Sequence, residues 1–282
     1  MVENRPVATF IAHATLILGV LIVAFPIWIA FVASTHELAE VVQAPMPLWP
    51  GGELVENYRK ALTSGTRQLS GTPVSTLMFN SLVMAMAVAV GKIAISLLSA
   101  FAIVYFRFPF RMLAFWTIFL TLMLPVEVRI LPTYAVVSGL GLLNSYTGLI
   151  VPLIASATAT FLFRQFFLTI PDELAEAARI DGAGPMKFFK DILLPLSRTN
   201  IAALFVILFI YGWNQYLWPL LITTQNDMNT VVMAIGRMIK VSDDAIEWPV
   251  VMATVMLAML PPVAVVIGMQ RLFVKGLVET EK

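Results

Sequence analysis

The chain has 282 residues, 59% of them hydrophobic and 12% charged. A soluble domain carries roughly twice that charged fraction, so this much apolar surface needs lipid to cover it. A net charge of +1 and the lack of cysteine exclude a nucleic-acid-binding field, disulfides, iron–sulfur clusters and thiolate metal sites.

A short polar start, 1–6, precedes an apolar run from Val7 to about Ser34. The run exceeds a signal-peptide core of roughly 7–15 residues and has no clear small-residue cleavage site. It reads as a retained first span, with a cleaved signal as the alternative. His13 and His36 flank this run without ligand spacing, so no metal site is expected. A helix crossing a core of about 30 Å needs roughly 20 apolar residues. Six segments qualify, at about 9–33, 77–105, 112–135, 146–168, 200–224 and 248–270. The expected fold is an all-α integral membrane protein, one transmembrane domain over 1–282.

The connection 35–75 is rich in Pro, Gly and polar residues, with Val55, Tyr58 and Leu62 spaced for one face of a surface helix. A tight turn at 139–144 joins the third and fourth spans, and a polar loop at 225–247 joins the last two. Six spans put both termini on one side. The short-loop basic residues, Arg107, Arg111, Lys187, Lys190 and Arg198 among them, place that side and the loop 169–199 in the cytoplasm. Pro26, Pro125, Pro132, Pro152, Pro219, Pro261 and Pro262 fall within spans, where each removes a backbone donor and bends the helix. Membrane helices tolerate proline, but this many favours a cavity at mid-membrane.

Lys92 lies near the middle of the second span, where a charge must face the bundle interior. It can meet an anionic substrate, or pair with Glu127 or a neighbouring subunit. Arg129 lies near the outer end of the third span, where it can meet an anionic group or snorkel to headgroups. In the fifth span, Asn214 and Gln215 need partners, either substrate hydroxyls or another helix. No set of residues suits catalysis.

Between the fourth and fifth spans the chain turns polar. Pro171 suits a first helical turn, Asp172 and Glu173 favour the helix dipole, and Gly182 supplies a left-handed stop. Pro185 starts a second short helix through Met186, Phe188, Phe189 and Ile192. Ala177, Ala178, Ile180, Met186 and Phe189 offer a compact apolar surface to a partner. The run Glu176, Ala177, Ala178, then Gly182, then Ile192, Leu194 and Pro195 resembles in full the signature of permease subunits of bacterial ATP-driven importers. The whole chain is similar to the maltose-type, carbohydrate branch. Glu3–Pro6, Thr121–Arg129 and Tyr211–Pro219 resemble permeases of glycerol-3-phosphate importers.

The resemblance implies the type I ABC importer permease fold in a bacterial inner membrane. It implies a heterodimer with a second permease, two cytoplasmic ATPase subunits holding ATP-Mg, and a periplasmic binding protein. It also implies a coupling helix seated in an ATPase groove, carried by Glu176, Ala177, Ala178, Asp181, Gly182, Met186 and Phe189. The chain has no G-x-x-x-x-G-K-[ST] loop, so no cofactor is expected in it and the ATP power comes from a partner. A neutral-sugar importer remains a second reading. A secondary transporter or a membrane enzyme gives no account of the loop signature.

Overall fold

The computed structural model describes residues 6–121, 124–240 and 245–278, without the side chains of 6, 126, 127 and 271–278. The fold is 77% helix, with no strand among the described residues. Three helices are long and apolar enough to cross a membrane: Val7–Ala33, Val74–Tyr105 and Trp248–Gln270. These match three expected spans. Only 11% of the apolar window in the first is buried, so lipid or another chain must cover it.

The other three expected spans are broken rather than continuous. Tyr146–Leu153 and Ala157–Phe167 meet at 46°, and Pro185–Leu196 and Arg198–Trp213 at 72°. Counting each bent pair as one span gives up to five. The segment expected at 112–135 holds the helices Arg111–Leu120 and Val126–Gly139. Breaks lie beside Pro125, Pro152 and Pro219, whereas Pro26, Pro132, Pro261 and Pro262 lie inside continuous helices, which corrects the expectation that every proline interrupts its span. Pro125 is the N-cap of Val126–Gly139, and Pro152 lies in a 3-10 turn before the break at Ser156. Pro219 sits in the first turn of Leu217–Ile222, past a break at 214–216. In a first turn the missing N–H costs nothing, whereas mid-helix it would orphan a carbonyl. The expected span 200–224 therefore ends as a helix at Trp213.

The chain divides into two compact units. One comprises Met1–Thr76 and Ala234–Met259. The turn Ser34–His36 is buried in it, and the helix Leu54–Thr63 packs onto that turn. Asn57 donates to the carbonyls of Ser34 (3.1 Å) and His36 (3.0 Å). These bonds turn Asn57, Tyr58 and Ala61 inward and leave Val55 and Leu62 exposed, which corrects the face expected from spacing. A Cβ on Gly51 would lie 2.7 Å from the Thr35 carbonyl oxygen and from the His36 ring, so only glycine fits that approach. Lys60 and Glu247 form an ion pair within this unit.

The second unit comprises Leu77–Met233 and Leu260–Lys282. Met84, Val88, Val137, Leu149, Trp218 and Ile222 form one cluster of its hydrophobic core. Asn80 donates to the Asp227 (2.7 Å) and Asn229 (3.0 Å) carbonyls and accepts from the Tyr146 hydroxyl (2.6 Å). The turn expected at 139–144 closes as a Schellman stop, with Gly141 N–H on Ser138 O and Leu142 N–H on Val137 O. Asn144 then accepts from the backbone N–H groups of Thr224 (2.7 Å) and Gln225 (3.0 Å). Where Gly212 meets Ala85, a Cβ would come within 2.9 Å of the Ala85 Cα, so these helices touch backbone to backbone.

Candidate functional site

The polar segment forms the helix Asp172–Ile180, with Asp172 and Glu173 in its first turn. Pro171 is its N-cap, one residue before the expected position. The stop is the expected one: Gly182 has φ +72°. Its N–H donates to Arg179 O (3.0 Å), and the Ala183 N–H donates to Ala178 O (2.8 Å). Pro185 opens the next short helix, and a π turn follows at Phe189–Leu193. There the Leu194 N–H reaches back to Phe189 O. Pro195 cannot donate to Asp191, so the wider turn takes up the mismatch. Ser197 Oγ donates to Leu193 O (2.6 Å) at the 72° bend.

The residues expected to face a partner divide into two sets. Glu176, Ala177, Ile180, Asp181, Gly182 and Met186 are exposed. Ala178 and Phe189 are buried and unavailable to a partner, as is Phe188. The reason is the end of the Val74–Tyr105 helix. Phe189 meets Phe101 with ring centroids 4.9 Å apart, and Phe188 lies edge-on to Tyr105 at 5.2 Å. Such pairs add about 0.5–1.5 kcal/mol each beyond area burial. A cavity of about 280 Å³ beneath the segment is lined by Tyr105, Arg107, Ala178, Arg179 and Phe188 among others.

A second constellation lies in the middle of the Val74–Tyr105 helix. Lys92 is buried, with Nζ 3.8 Å from the centroid of the Tyr211 ring. A lysine at mid-membrane costs about 2.5–3.5 kcal/mol on insertion scales. The ring face returns about 0.5–2 kcal/mol of that. Lys92, Arg129 and Tyr211 line two cavities, of about 150 and 720 Å³. Gln215 lines the smaller, and its Nε2 donates to Tyr211 O (3.2 Å), one helical turn back. Three of the five expected pathway residues thus converge. Asn214 is exposed at the helix end and lines neither cavity. The Glu127 side chain lies outside the described residues. Sequence reasoning missed Tyr211, because no spacing rule links it to Lys92 on another helix.

An all-helical chain with several apolar helices, proline-broken segments and a polar helical turn between two of them is the architecture of a membrane transport subunit. The chain belongs to the family of binding-protein-dependent transport system inner membrane components, whose model matches residues 92–279. It is 62% identical, over the full length of both chains, to the sn-glycerol-3-phosphate transport system permease protein UgpE of Rhizobium meliloti. Identity is also 62% over full length to the protein of that name from Agrobacterium fabrum, and 58% to that from Escherichia coli. Among solved structures, a bacterial ABC transporter involved in import of the acidic polysaccharide alginate aligns with TM-score 0.80. That alignment covers 96% of this chain and 98% of the other at 18% identity, and it speaks for the fold alone.

Proposed function

We propose that this chain is one permease of an ATP-driven, binding-protein-dependent importer of sn-glycerol-3-phosphate or its glycerophosphodiesters. The full-length identity to permeases bearing that name carries the reading. The sixth span is the pair Arg111–Leu120 and Val126–Gly139, with both termini and the loop 169–199 in the cytoplasm. A second permease completes the pathway, two cytoplasmic ATPase subunits hold ATP-Mg, and a periplasmic protein delivers the cargo.

The exposed edge from Glu176 to Met186 seats in the ATPase, where Glu176 meets a basic side chain. ATP closure moves this edge, and the buried Phe188 and Phe189 transmit the motion to the Val74–Tyr105 helix. Alternating access needs contacts that differ between the two states. A rigid helix wedged by aromatic rings supplies them.

Uptake of labelled glycerol-3-phosphate by cells expressing the whole system tests this, with Gly182→Trp as matched control. Uptake by the parent and none by the variant is the expected result. Normal uptake by Gly182→Trp at normal expression sinks the coupling role. No uptake by an assembled, ATP-hydrolysing parent rejects the cargo.

A further inference from the structure

We propose that Lys92 and Arg129 bind the phosphate of the cargo inside the membrane, with Tyr211 and Gln215 beside them for its hydroxyls; this rests on the glycerol-3-phosphate reading. Both cations open onto the same two cavities. The larger, about 720 Å³, lies within the range of small-molecule sites, roughly 300–1,000 Å³. Among the described residues, no carboxylate lines either cavity. Among the same residues, no carboxylate lies within 4.0 Å of Lys92 or Arg129.

Lys92 is only 7% exposed. Its partner is a ring face, which attracts a cation but leaves its N–H donors free for an acceptor. Two like charges beside one cavity, Lys92 buried and Arg129 exposed, repel each other, and both are relieved by a shared anion. A phosphomonoester carries about −1.5 to −2 near neutral pH and matches the pair. A neutral sugar would leave both cations uncompensated.

The sequence contains no cysteine, so Thr133→Cys places this chain's one thiol on the smaller cavity and leaves both cations intact. In vesicles holding the whole transporter, an anionic methanethiosulfonate reagent reports on that cavity. Inorganic phosphate and sn-glycerol-3-phosphate should slow its labelling, and glycerol should not. Adding Lys92→Met should abolish the protection. In uptake assays, Lys92→Met or Arg129→Gln should raise the half-saturating concentration roughly tenfold or more, the scale of one charge-assisted hydrogen bond. Lys92→Arg should stay near the parent.

Equal labelling with and without phosphate overturns the site, as do parental affinity and rate in Lys92→Met and Arg129→Gln. An importing parent with insensitive variants would fail the site and keep the importer. Phosphate protection without glycerol-3-phosphate uptake would keep the site and fail the cargo.

Discussion

Phe189 sits against Phe101 with ring centroids 4.9 Å apart, joining the π turn before Pro195 to the helix that carries Lys92. Nine positions separate Phe101 from Lys92, about 14 Å of continuous helix. The path from the π turn to the cationic cavity therefore crosses no loop, and a displacement of the turn would have one continuous helix to act on. Phe189→Ala should remove this contact and lower stability by about 3–5 kcal/mol. Phe189→Met should hold the fold, with ATP hydrolysis retained and uptake reduced. Measuring hydrolysis and uptake on one preparation separates the two effects; full uptake by Phe189→Met with hydrolysis unchanged would remove Phe189 from the transmission path.

Gly182 should tolerate substitution according to backbone preference rather than size of space. Nothing lies within 4 Å of a Cβ built there, yet φ is +72°. Asn visits that region readily and a β-branched residue does not. Gly182→Asn should keep near-parental coupling, and Gly182→Val should lose about 1–2 kcal/mol of local stability. The ratio of transport to hydrolysis across the pair is the measurement, and equal ratios would contradict the argument.

His36 should make the first unit sensitive to pH. Its Nε2 donates to Trp49 O (2.9 Å), and its Nδ1 meets Glu40 Oε2 at 2.6 Å. Neither acceptor brings a proton, so the imidazolium satisfies both. The Trp49 carbonyl first, and then the Glu40 carboxylate, hold the pKa above its ordinary 6.5. A raised folded value means the stabilisation is full below about 6.5 and is lost as pH rises through the folded pKa. Glu40 runs the other way. The His36 bond lowers its pKa from 4.5, so its contribution is present above that value and lost as pH falls through the folded one. The thermal midpoint of the purified protein should therefore fall as pH is raised from mildly acidic to mildly alkaline. His36→Gln should flatten that slope; parallel curves for parent and variant would rule the device out.

The Lys60–Glu247 pair ties the helix Leu54–Thr63 to the segment before Trp248 within the first unit. Lys60 is 43% exposed at its side chain and Glu247 only 18%, so solvent screens the pair in part. Its interaction energy in a double-mutant cycle should be about 0.5–1 kcal/mol. Lys60→Glu and Glu247→Lys should each destabilise, and the double reversal should recover most of the loss. Additive losses in the double variant would show that the two side chains do not interact.

Local rules were enough for the features that local chemistry decides. Asp172 and Glu173 mark a helix start, Gly182 a stop and Pro185 a restart, and each lies where those preferences place it. The three long uninterrupted apolar helices were equally readable. Hydropathy could not see the breaks, because the apolar run continues through Pro125, Pro152 and Pro219 while the backbone does not. A bend and a full stop at proline look alike in composition. Ala178 and Phe189 read as partner-facing because the segment is amphipathic, and nothing local says that Phe101 waits beneath it. The cationic cavity was half legible. Lys92 and Arg129 stand out as charges in apolar runs, whereas Tyr211 looks like one aromatic among many until helices distant in sequence come together.

The contact of Gly212 with Ala85 sets how closely the two helices approach. A Cβ at Gly212 would lie 2.9 Å from the opposing Cα, and the one side chain close by is the Ala85 methyl, at 3.5 Å. A larger residue at either position would part the two helices. Gly212 directly follows Tyr211, so that parting would fall beside the residue whose ring covers Lys92.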